Sequence, residues 1–351
     1  MQLKVILIIY RYIIYMKKIL VLGYLGLHTN QLDGQTVKTR DLYRLACESF
    51  PQVDVYDTED FKYNKFSIVK MLWNVITSKT VLYLPAQNNL KLIFPLIFII
   101  SKLFRTRIHY FVVGGWLCEF LENLPIHRFM LKHISGIHTE TSKLKNELEA
   151  NYAFSNVDIF PNFRFFDFVP EYSESDKLRL VFMARINKMK GLDWIFNLAG
   201  YLSDNNLAEK VSVTFYGPIN EDDKEYFFDG VKKYDFVEYK GVLQPDEIHK
   251  TLNEYDVMLL PTHYYTEGLP GSVMDAYISG LPVIVTDWKH AREFVDDGKS
   301  GYIIPFERGE QALIDRVIVL FENRDLLKEL RQGVLTRRKS LSIPSIDFIL
   351  N

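Results

Sequence analysis

The strongest constraint on the fold of this chain is a regular alternation of short apolar runs with longer segments of helical periodicity. In the first half these segments are strand-like at 18–23, helix-like at about 35–48, strand-like at 53–57, helix-like at about 66–77, strand-like at 80–84, helix-like at about 89–103 and strand-like at 107–113. Strands that alternate with helices predict βαβ units, and therefore a parallel sheet with helices on both faces.

A second series of strand-like runs begins at Leu178. Its members are LRLVFMAR (178–185), VSVTFYG, FVEYKG, YDVMLLP, LPVIVTD and SGYIIP. Between the two series, Pro161, Pro170 and a Ser/Glu-rich stretch interrupt the periodicity, which puts a boundary near 165–175. The 351 residues are enough for two domains. We expect two doubly wound α/β domains, at 16–168 and 169–335, with a C-terminal tail at 336–351.

The first 15 residues, MQLKVILIIYRYIIY, are apolar and precede a natural start at Met16. They carry Lys4 and Arg11, lack a small-residue cleavage site, and are fewer than the roughly 20 apolar residues of a bilayer span. We expect 1–15 to be an upstream extension, so that a chain beginning at Met16 folds and turns over substrate. An interfacial anchor is the alternative.

Charge and cysteine content exclude some partners. The formal net charge is −2 and the pI is near 6.5, so the chain has no global basic field and no nucleic-acid partner is expected. Cys47 and Cys118 lie far apart and form no CxxC motif, so neither a metal site nor a disulfide framework is indicated. A reducing cytoplasm fits this composition.

Two glycine-containing segments follow the first strand. The stretch GYLGLHTNQLDG lacks the GxGxxG spacing of a dinucleotide site. In the overlapping LDGQTVKTR, Gly34 permits close backbone approach, and a helix beginning near Gln35 would point free N–H groups at a phosphate. A plain helix-capping turn is the alternative interpretation.

A pair of cations ends the first strand of the second series. In FMARINKMKG, Arg185 is followed by Lys188, Lys190 and Gly191. Ligands of doubly wound sheets bind at the carboxyl ends of strands. A guanidinium fork and a movable ammonium there suit a diphosphate, whereas the alternative is a solvated basic turn.

Two acids flank a Gly-Leu-Pro-Gly turn after the strand YDVMLLP. Glu267 lies in the loop at the carboxyl end of this strand, and Asp275 lies in about the first turn of a helix expected at 272–279. A carboxylate at that place can accept the hydroxyls of a ribose while the N–H groups of 269–273 face phosphate. Alternatively, Asp275 only complements the helix dipole and Glu267 is exposed.

Four motifs occur in order: Arg-x4-Lys-Gly at 185–191, Glu-Gly-Leu-Pro at 267–270 with Asp275 beyond it, SGLPVIVTD, and EFVDDGKSGYIIP. Together they resemble the retaining family-four glycosyltransferases of the GT-B fold, over about 16–335 and most strongly over 178–305. The resemblance implies two Rossmann-like domains facing across a cleft. It also implies a hexosyltransferase that uses a nucleotide-diphosphate sugar with retention, without metal or cofactor.

The resemblance also implies roles for individual residues. In the family, the residues matching Arg185 and Lys190 hold the donor diphosphate, the acid matching Glu267 lies by the donor sugar, and the one matching Asp275 binds ribose. Arg185, Lys190 and Glu267 are thus the expected catalytic groups, and base recognition falls near 239–243. The expected donor-binding residues are Gly34, Arg185, Lys190, Glu267, Gly268, Leu269, Pro270, Gly271 and Asp275.

The chain departs from the family pattern at two places. The second acid is usually Glu, whereas here it is the shorter Asp275, which reaches less far. Many members have a His after the strand equivalent to 107–113, whereas here Gly114 and Gly115 follow it. His109, inside that strand, is expected to be a core or surface histidine.

The segment 88–107 is the one part of the sequence that bears on the nature of the acceptor. Nine apolar residues in a row, from Leu92 to Ile100, precede Lys102, Arg105 and Arg107. The segment either rests on an anionic membrane, kinked at Pro95, or is a core helix that ends in basic residues. In the first case, the acceptor is a lipid-linked glycan at the inner face of the plasma membrane, as in bacterial capsule or exopolysaccharide assembly.

Three other classes of function stay open beside the transferase. A GT-B nucleotide-sugar epimerase would consume donor without an acceptor. A glycoside hydrolase would use two carboxylates, but it would have no diphosphate for Arg185 and Lys190 to neutralise. A non-catalytic protein would bind nucleotide sugar without turnover.

Overall fold

The computed structural model describes residues 18–29 and 34–350, and the chain divides into two units. Unit 1 comprises Met1–Phe163 and Ile343–Asn351, and unit 2 comprises Arg164–Ser342. The segment 1–15 and the expected start at Met16 lie outside the described residues. The boundary expected at 168/169 lies slightly beyond the observed one, and the expected tail at 336–351 is shared between the two units.

Unit 1 contains a six-stranded parallel sheet. Its strands are β1 Lys18–Gly23, β2 Val53–Asp57, β3 Ser78–Leu84, β4 Arg107–Phe111, β5 Gly136–Thr139 and β6 Val157–Ile159, in the order β2-β1-β3-β4-β5-β6. Its helices are α1 Gly34–Ser49, α2 Asp60–Tyr63, α3 Ser67–Thr77, α4 Gln87–Leu92, α5 Phe94–Phe104, α6 Leu117–Leu121, α7 Pro125–Lys132 and α8 Ser142–Tyr152, with a 3₁₀ turn at Asp347–Leu350.

The sequence pattern missed two strands, the four helices α2, α6, α7 and α8, and one helix break in unit 1. Strands β5 and β6 are only four and three residues long, too short to give a recognisable run. The helix expected at about 89–103 is two helices, α4 and α5, which are separated at Ile93. Pro95 lies in the first turn of α5, where its missing N–H leaves no backbone hydrogen bond unmade.

Unit 2 also contains a six-stranded parallel sheet. Its strands are β7 Leu178–Met183, β8 Val211–Tyr216, β9 Val237–Tyr239, β10 Val257–Leu260, β11 Val283–Thr286 and β12 Gly301–Ile304, in the order β12-β11-β10-β7-β8-β9. Its helices are α9 Leu192–Asp204, α10 Lys224–Lys232, α11 Ile248–Leu252, α12 Gly271–Ile278, α13 Ala291–Phe294, α14 Gly309–Glu322 and α15 Arg324–Arg338, with 3₁₀ turns at Lys188–Lys190 and Glu221–Asp223.

Each sheet has one point at which the strand order reverses. In unit 2 the chain builds outward from β7 through β8 to β9, and then returns to add β10, β11 and β12 on the other side of β7. In unit 1 the reversal lies between β1 and β3. Doubly wound sheets bind ligands outside the carboxyl ends of the strands at such a reversal. The prediction of two doubly wound α/β units is confirmed.

The core of unit 1 contains a pair of buried histidines on β4 and β5. His109 Nδ1 lies 3.0 Å from His138 Nε2, and the two rings stack with their centroids 5.2 Å apart. Phe111, Phe160 and Phe348 pack against His138, so the segment 343–351 covers the pair. Burial lowers the pKa of His109 to about 4 and the pKa of His138 to about 3. His109 is therefore a core histidine.

We expect the free energy of unfolding to decrease as the pH falls from about 6.5 to about 4. In this window the unfolded chain protonates both His109 and His138, whereas the folded chain keeps them neutral, so the unfolded state binds more protons. Urea unfolding at pH 7.5 and pH 5 should differ by on the order of 2 kcal/mol for each histidine. The variant H109Q/H138Q should lose this part of the pH dependence. An unchanged pH profile in that variant would contradict the assignment.

Candidate functional site

The predicted cations and acids of unit 2 lie on two loops that meet where the strand order reverses. The first loop, 184–191, joins β7 to α9, and the second loop, 261–270, joins β10 to α12. Strands β7 and β10 are hydrogen-bonded neighbours. Because both strands are parallel, both loops leave the same edge of the sheet. Two motifs about 80 residues apart in the sequence are thereby brought together.

Backbone contacts hold the two loops against each other. The His263 N–H donates to the carbonyl oxygen of Met189 at 2.8 Å, and the Thr262 hydroxyl donates to the same oxygen at 3.3 Å. Gly191 has a φ of +84°, and a Cβ at this position would lie 2.0 Å from the carbonyl oxygen of Pro261. Only glycine permits this approach.

Lys190 and Glu267 form an ion pair between the two loops. Lys190 Nζ donates to Glu267 Oε1, and the side chains are 17% and 16% exposed. The Thr262 hydroxyl lies 3.4 Å from the same carboxylate oxygen, and Lys190 Nζ lies 5.1 Å from the centroid of the Tyr264 ring. The pair is thus held in place and still reached by solvent, so a ligand can contact both charges.

The other two cations of the first loop are exposed. Arg185 lies two residues after Met183, where β7 ends, and not on the strand as expected. Lys188 Nζ lies 4.5 Å from the centroid of the Tyr226 ring, which belongs to α10. Lys188 and Lys190 therefore lie on the same turn but contact different elements.

The turn 268–271 leads into α12. The helix begins at Gly271 and its N-cap is Pro270, which provides no side-chain cap for the first N–H groups. Gly268 and Leu269 are buried beneath this start. A Cβ on Gly271 would lie 2.3 Å from Arg164 Nη2, so glycine lets this arginine cross the start of the helix.

Asp275 is the fifth residue of α12 and is already paired with two basic side chains. Its Oδ1 lies 3.3 Å from Arg164 Nε and 3.4 Å from His249 Nε2, and the residue is 6% exposed. Asp275 was expected in about the first turn of the helix, beside the N–H groups of 269–273. It lies just beyond that turn, with its carboxylate engaged by Arg164 and His249. Its contact with a ribose stays a prediction.

Gly34 is the first residue of α1 in unit 1, which agrees with the helix start expected near Gln35. A Cβ on Gly34 would meet nothing within 4 Å. No close contact with the described part of the chain therefore requires glycine at this position. Its contact with a donor stays a prediction.

Sequence reasoning missed the residues that hold the second loop and Asp275 in place. His263 Nε2 lies 2.9 Å from Asp193 Oδ1, and the His263 ring packs edge-on against Trp194. Arg164 and His249 hold Asp275 in the same way. The one available signal was the position of His263, which directly follows the buried run YDVMLLPT and so lies at the carboxyl end of a strand.

Residues 164–335 match the profile of the family "Glycosyl transferases group 1". The match includes both loops and α12. This part of the chain is therefore a glycosyl transferases group 1 domain, and the resemblance seen in the sequence is confirmed.

Curated relatives match part of the chain. WcaL of Salmonella typhimurium, named as a colanic acid biosynthesis glycosyltransferase, is 29% identical over 166 residues, which cover 46% of this chain and 40% of WcaL. The amylovoran biosynthesis glycosyltransferase AmsK of Erwinia amylovora is 29% identical over 140 residues, which cover 39% of this chain and 34% of AmsK. The matched stretch thus spans 40% or less of these two relatives.

Solved structures match nearly the whole chain. Anabaena Alr3699/HepE, solved in complex with UDP-glucose, has a TM-score of 0.72 and 14% identity, over 93% of this chain and 96% of that one. The sucrose-phosphate synthase of Thermosynechococcus elongatus also has a TM-score of 0.72, with 12% identity, over 93% of this chain and 94% of that one. These likenesses show the fold, which is GT-B.

We expect Gly191→Ala to destabilise the protein far more than Gly241→Ala. Both glycines have a φ of +84°, but a Cβ on Gly241 would meet nothing within 4 Å. The left-handed conformation alone costs an alanine about 1–2 kcal/mol. The clash of Gly191→Ala with the Pro261 carbonyl should cost at least about 2 kcal/mol more. Urea unfolding of both variants measures the difference, and equal losses would show that the loops do not depend on this contact.

Proposed function

We propose that this protein is a glycosyltransferase that moves a sugar from a nucleotide-diphosphate donor to a glycan or lipid-linked acceptor in bacterial surface polysaccharide assembly. The observation that carries the proposal is the Lys190–Glu267 pair at the strand-order reversal of a glycosyl transferases group 1 domain. The names of WcaL and AmsK support the polysaccharide, and the UDP-glucose complex of Alr3699/HepE supports the donor class.

In this proposal the Lys190–Glu267 pair binds the two groups that the scissile bond joins, the diphosphate and the donor sugar. The ammonium faces the diphosphate and the carboxylate accepts a hydroxyl of the donor sugar. Each charge keeps the other in place before the donor arrives, so little reorganisation accompanies binding. Arg185, on the same loop, adds a second cation for the phosphate oxygens.

The proposed reaction is driven by electrostatic stabilisation of the leaving group. As the bond from the anomeric carbon to the diphosphate breaks, negative charge grows on the phosphate oxygen, where Arg185, Lys190 and the first N–H groups of α12 stabilise it. We propose that the acceptor attacks from the same face, so that the leaving phosphate takes the proton of the acceptor hydroxyl and the configuration is retained.

The proposal includes no metal and no cofactor, and this part rests on the family resemblance. Within residues 18–29 and 34–350, no three His, Cys, Asp or Glu side chains come together to hold an ion. Asp275 is assigned to the ribose and the backbone near 239–243 to the base. Gly34 is assigned to the donor from unit 1. The cytoplasm, at the inner face of the membrane, is the proposed location.

A nucleotide-sugar screen tests the proposal directly. Thermal shift with nucleoside diphosphates and their sugars should identify one donor, because a ligand at 100 times its Kd adds about 2.7 kcal/mol to stability. Turnover of that donor should then require an acceptor glycan or glycolipid. Donor consumption without acceptor would indicate an epimerase. Release of free sugar from a glycoside would indicate a hydrolase, and binding without any turnover a non-catalytic protein.

We expect Arg185→Ala and Lys190→Ala each to lower the turnover of this donor by on the order of 100-fold or more, since each removes a charge that faces the leaving group. Lys188→Ala is the matched control, because Lys188 lies on the same 3₁₀ turn as Lys190 but contacts Tyr226. It should stay within a few-fold of the parent. Near-normal turnover in either of the first two variants would leave this loop as a solvated basic turn.

Substitution of Asp275 should lower the affinity for the nucleotide, whereas substitution of Glu267 should lower turnover. Asp275→Ala should weaken binding of the free nucleoside diphosphate by about 1.5–3 kcal/mol, because the ribose hydroxyls lose a charged acceptor. Glu267→Gln should depress turnover but leave this affinity nearly unchanged, since the product has no sugar. Asp275→Glu should be tolerated. If calorimetry found that Asp275→Ala binds the nucleotide as tightly as the parent, Asp275 would serve only to pair with Arg164 and His249.

A further inference from the structure

Helix α5 of unit 1 is apolar on both of its faces. Its inner face consists of Phe94, Ile97 and Ser101, which are buried in the core. The opposite side carries Ile99 and Leu103, which are 57% and 72% exposed. A helix that only covers a sheet carries polar residues on its outer face. The exposed side of α5 is therefore unusually apolar for a surface helix.

The neighbouring helices extend this apolar surface. At the start and on the outside of α3, Phe66 is 84% exposed and Trp73 is 57% exposed. Leu92, at the end of α4, is 75% exposed, and Phe129 of α7 is 60% exposed. Together with Ile99 and Leu103, these residues define what we call the outer face.

Contacts between the helices show that the elements carrying the outer face are neighbours. Helix α5 packs against α3, α4 and α7. Lys102 Nζ on α5 donates to the carbonyl oxygen of His133, at the end of α7. His127 of α7 lies 3.1 Å from the carbonyl oxygen of Lys91 on α4. Single exposed apolar side chains need no explanation, but a contiguous set of them marks an interaction site.

The charged residues on the four helices α3, α4, α5 and α7 are all basic. No Asp or Glu lies between Asp60 and Glu119, whereas this stretch carries eight Lys and Arg residues. Residues 123–139, which include α7, add Arg128 and Lys132 and no acid. The whole chain has a net charge of −2, whereas the exposed Lys70, Lys91, Lys102 and Lys132 all lie on the helices that carry the outer face.

We propose that the outer face docks unit 1 on the surface of an anionic phospholipid bilayer. Aromatic and aliphatic side chains insert into the interfacial region, and the flanking lysines contact the lipid phosphates. A second copy of the chain is a poorer occupant, because self-association of this face would bring lysines against lysines. In the described parts of the chain no helix has the length and apolar character to cross a bilayer. The face therefore lies on the membrane and does not span it.

This inference rests on the membrane location in the proposed function and names the surface responsible, and its test requires neither donor nor acceptor. Sedimentation with phosphatidylglycerol-containing vesicles, and with pure phosphatidylcholine vesicles, tests it on the full chain. The parent should bind the anionic vesicles at least tenfold more tightly and should lose binding as salt is raised. Equal binding to both vesicles, or none to either, would overturn the proposal.

Two double variants test the surface itself. L92S/L103S removes exposed apolar side chains, and K70E/K132E reverses two exposed charges. Each should weaken vesicle binding by on the order of tenfold or more. The matched controls V169S/I343S and K232E/K339E carry the same changes at exposed positions elsewhere. The controls should bind like the parent, and all four variants should keep the parent's circular dichroism spectrum and its affinity for the donor.

Two results would show that the outer face does not dock the protein on the membrane. If L92S/L103S abolished a dimer detected by light scattering and left vesicle binding unchanged, the outer face would be an interface between copies of this chain. If I8E/I13E lost vesicle binding and L92S/L103S kept it, the segment 1–15 would be the anchor. Either result would overturn the proposal without affecting the proposed transferase, which is measured by donor turnover.

Discussion

The contact between Gly191 and the carbonyl of Pro261 is the constraint on which the candidate site depends. It brings the loop after β7 within van der Waals distance of the loop after β10, at the reversal of strand order. Lys190 precedes this glycine and meets Glu267 only because the loops touch. The Met189 carbonyl, which accepts from both Thr262 and His263, fixes the register of the two loops. The absence of a Cβ at Gly191 thereby lets the two loops come close enough for Lys190 to pair with Glu267.

Each unit has an ion pair near the carboxyl edge of its sheet, but the two pairs differ in access. In unit 1, Lys38 Nζ lies 2.5 Å from Glu140 Oε1, and the side chains are 1% and 3% exposed. Lys38 also donates to the Val112 carbonyl at 2.8 Å, which ties α1 to the end of β4. Such a sealed pair stabilises only through its full set of hydrogen bonds. The pair of Lys190 and Glu267 is open to solvent, as a ligand site requires.

Helix α5 has apolar residues on a buried side and on an exposed side, and these two sides correspond to the two interpretations that the sequence left open. Phe94 and Ile97 are buried, as in a core helix of unit 1, whereas Leu103 is exposed beside Lys102, and its contact with a membrane stays a proposal. The break at Ile93 separates α4 from α5. Both properties come from a run of apolar residues with no polar face.

The sequence by itself determined the fold class and the six strands of unit 2, its motifs gave the glycosyltransferase resemblance that the family match over 164–335 confirms, and it put forward Arg185, Lys190, Glu267 and Asp275 as expected site residues. The strands follow from local periodicity, because side chains alternate inward and outward along a strand with a fixed period, whereas the family and the expected site residues come from motifs and the resemblance that they carry. Only the tertiary structure decided that Arg164 and His249 hold Asp275, that Lys190 meets Glu267, and that β5 and β6 complete the first sheet. Such pairings join residues far apart in the chain, where no local pattern records which partners the folded backbone brings together.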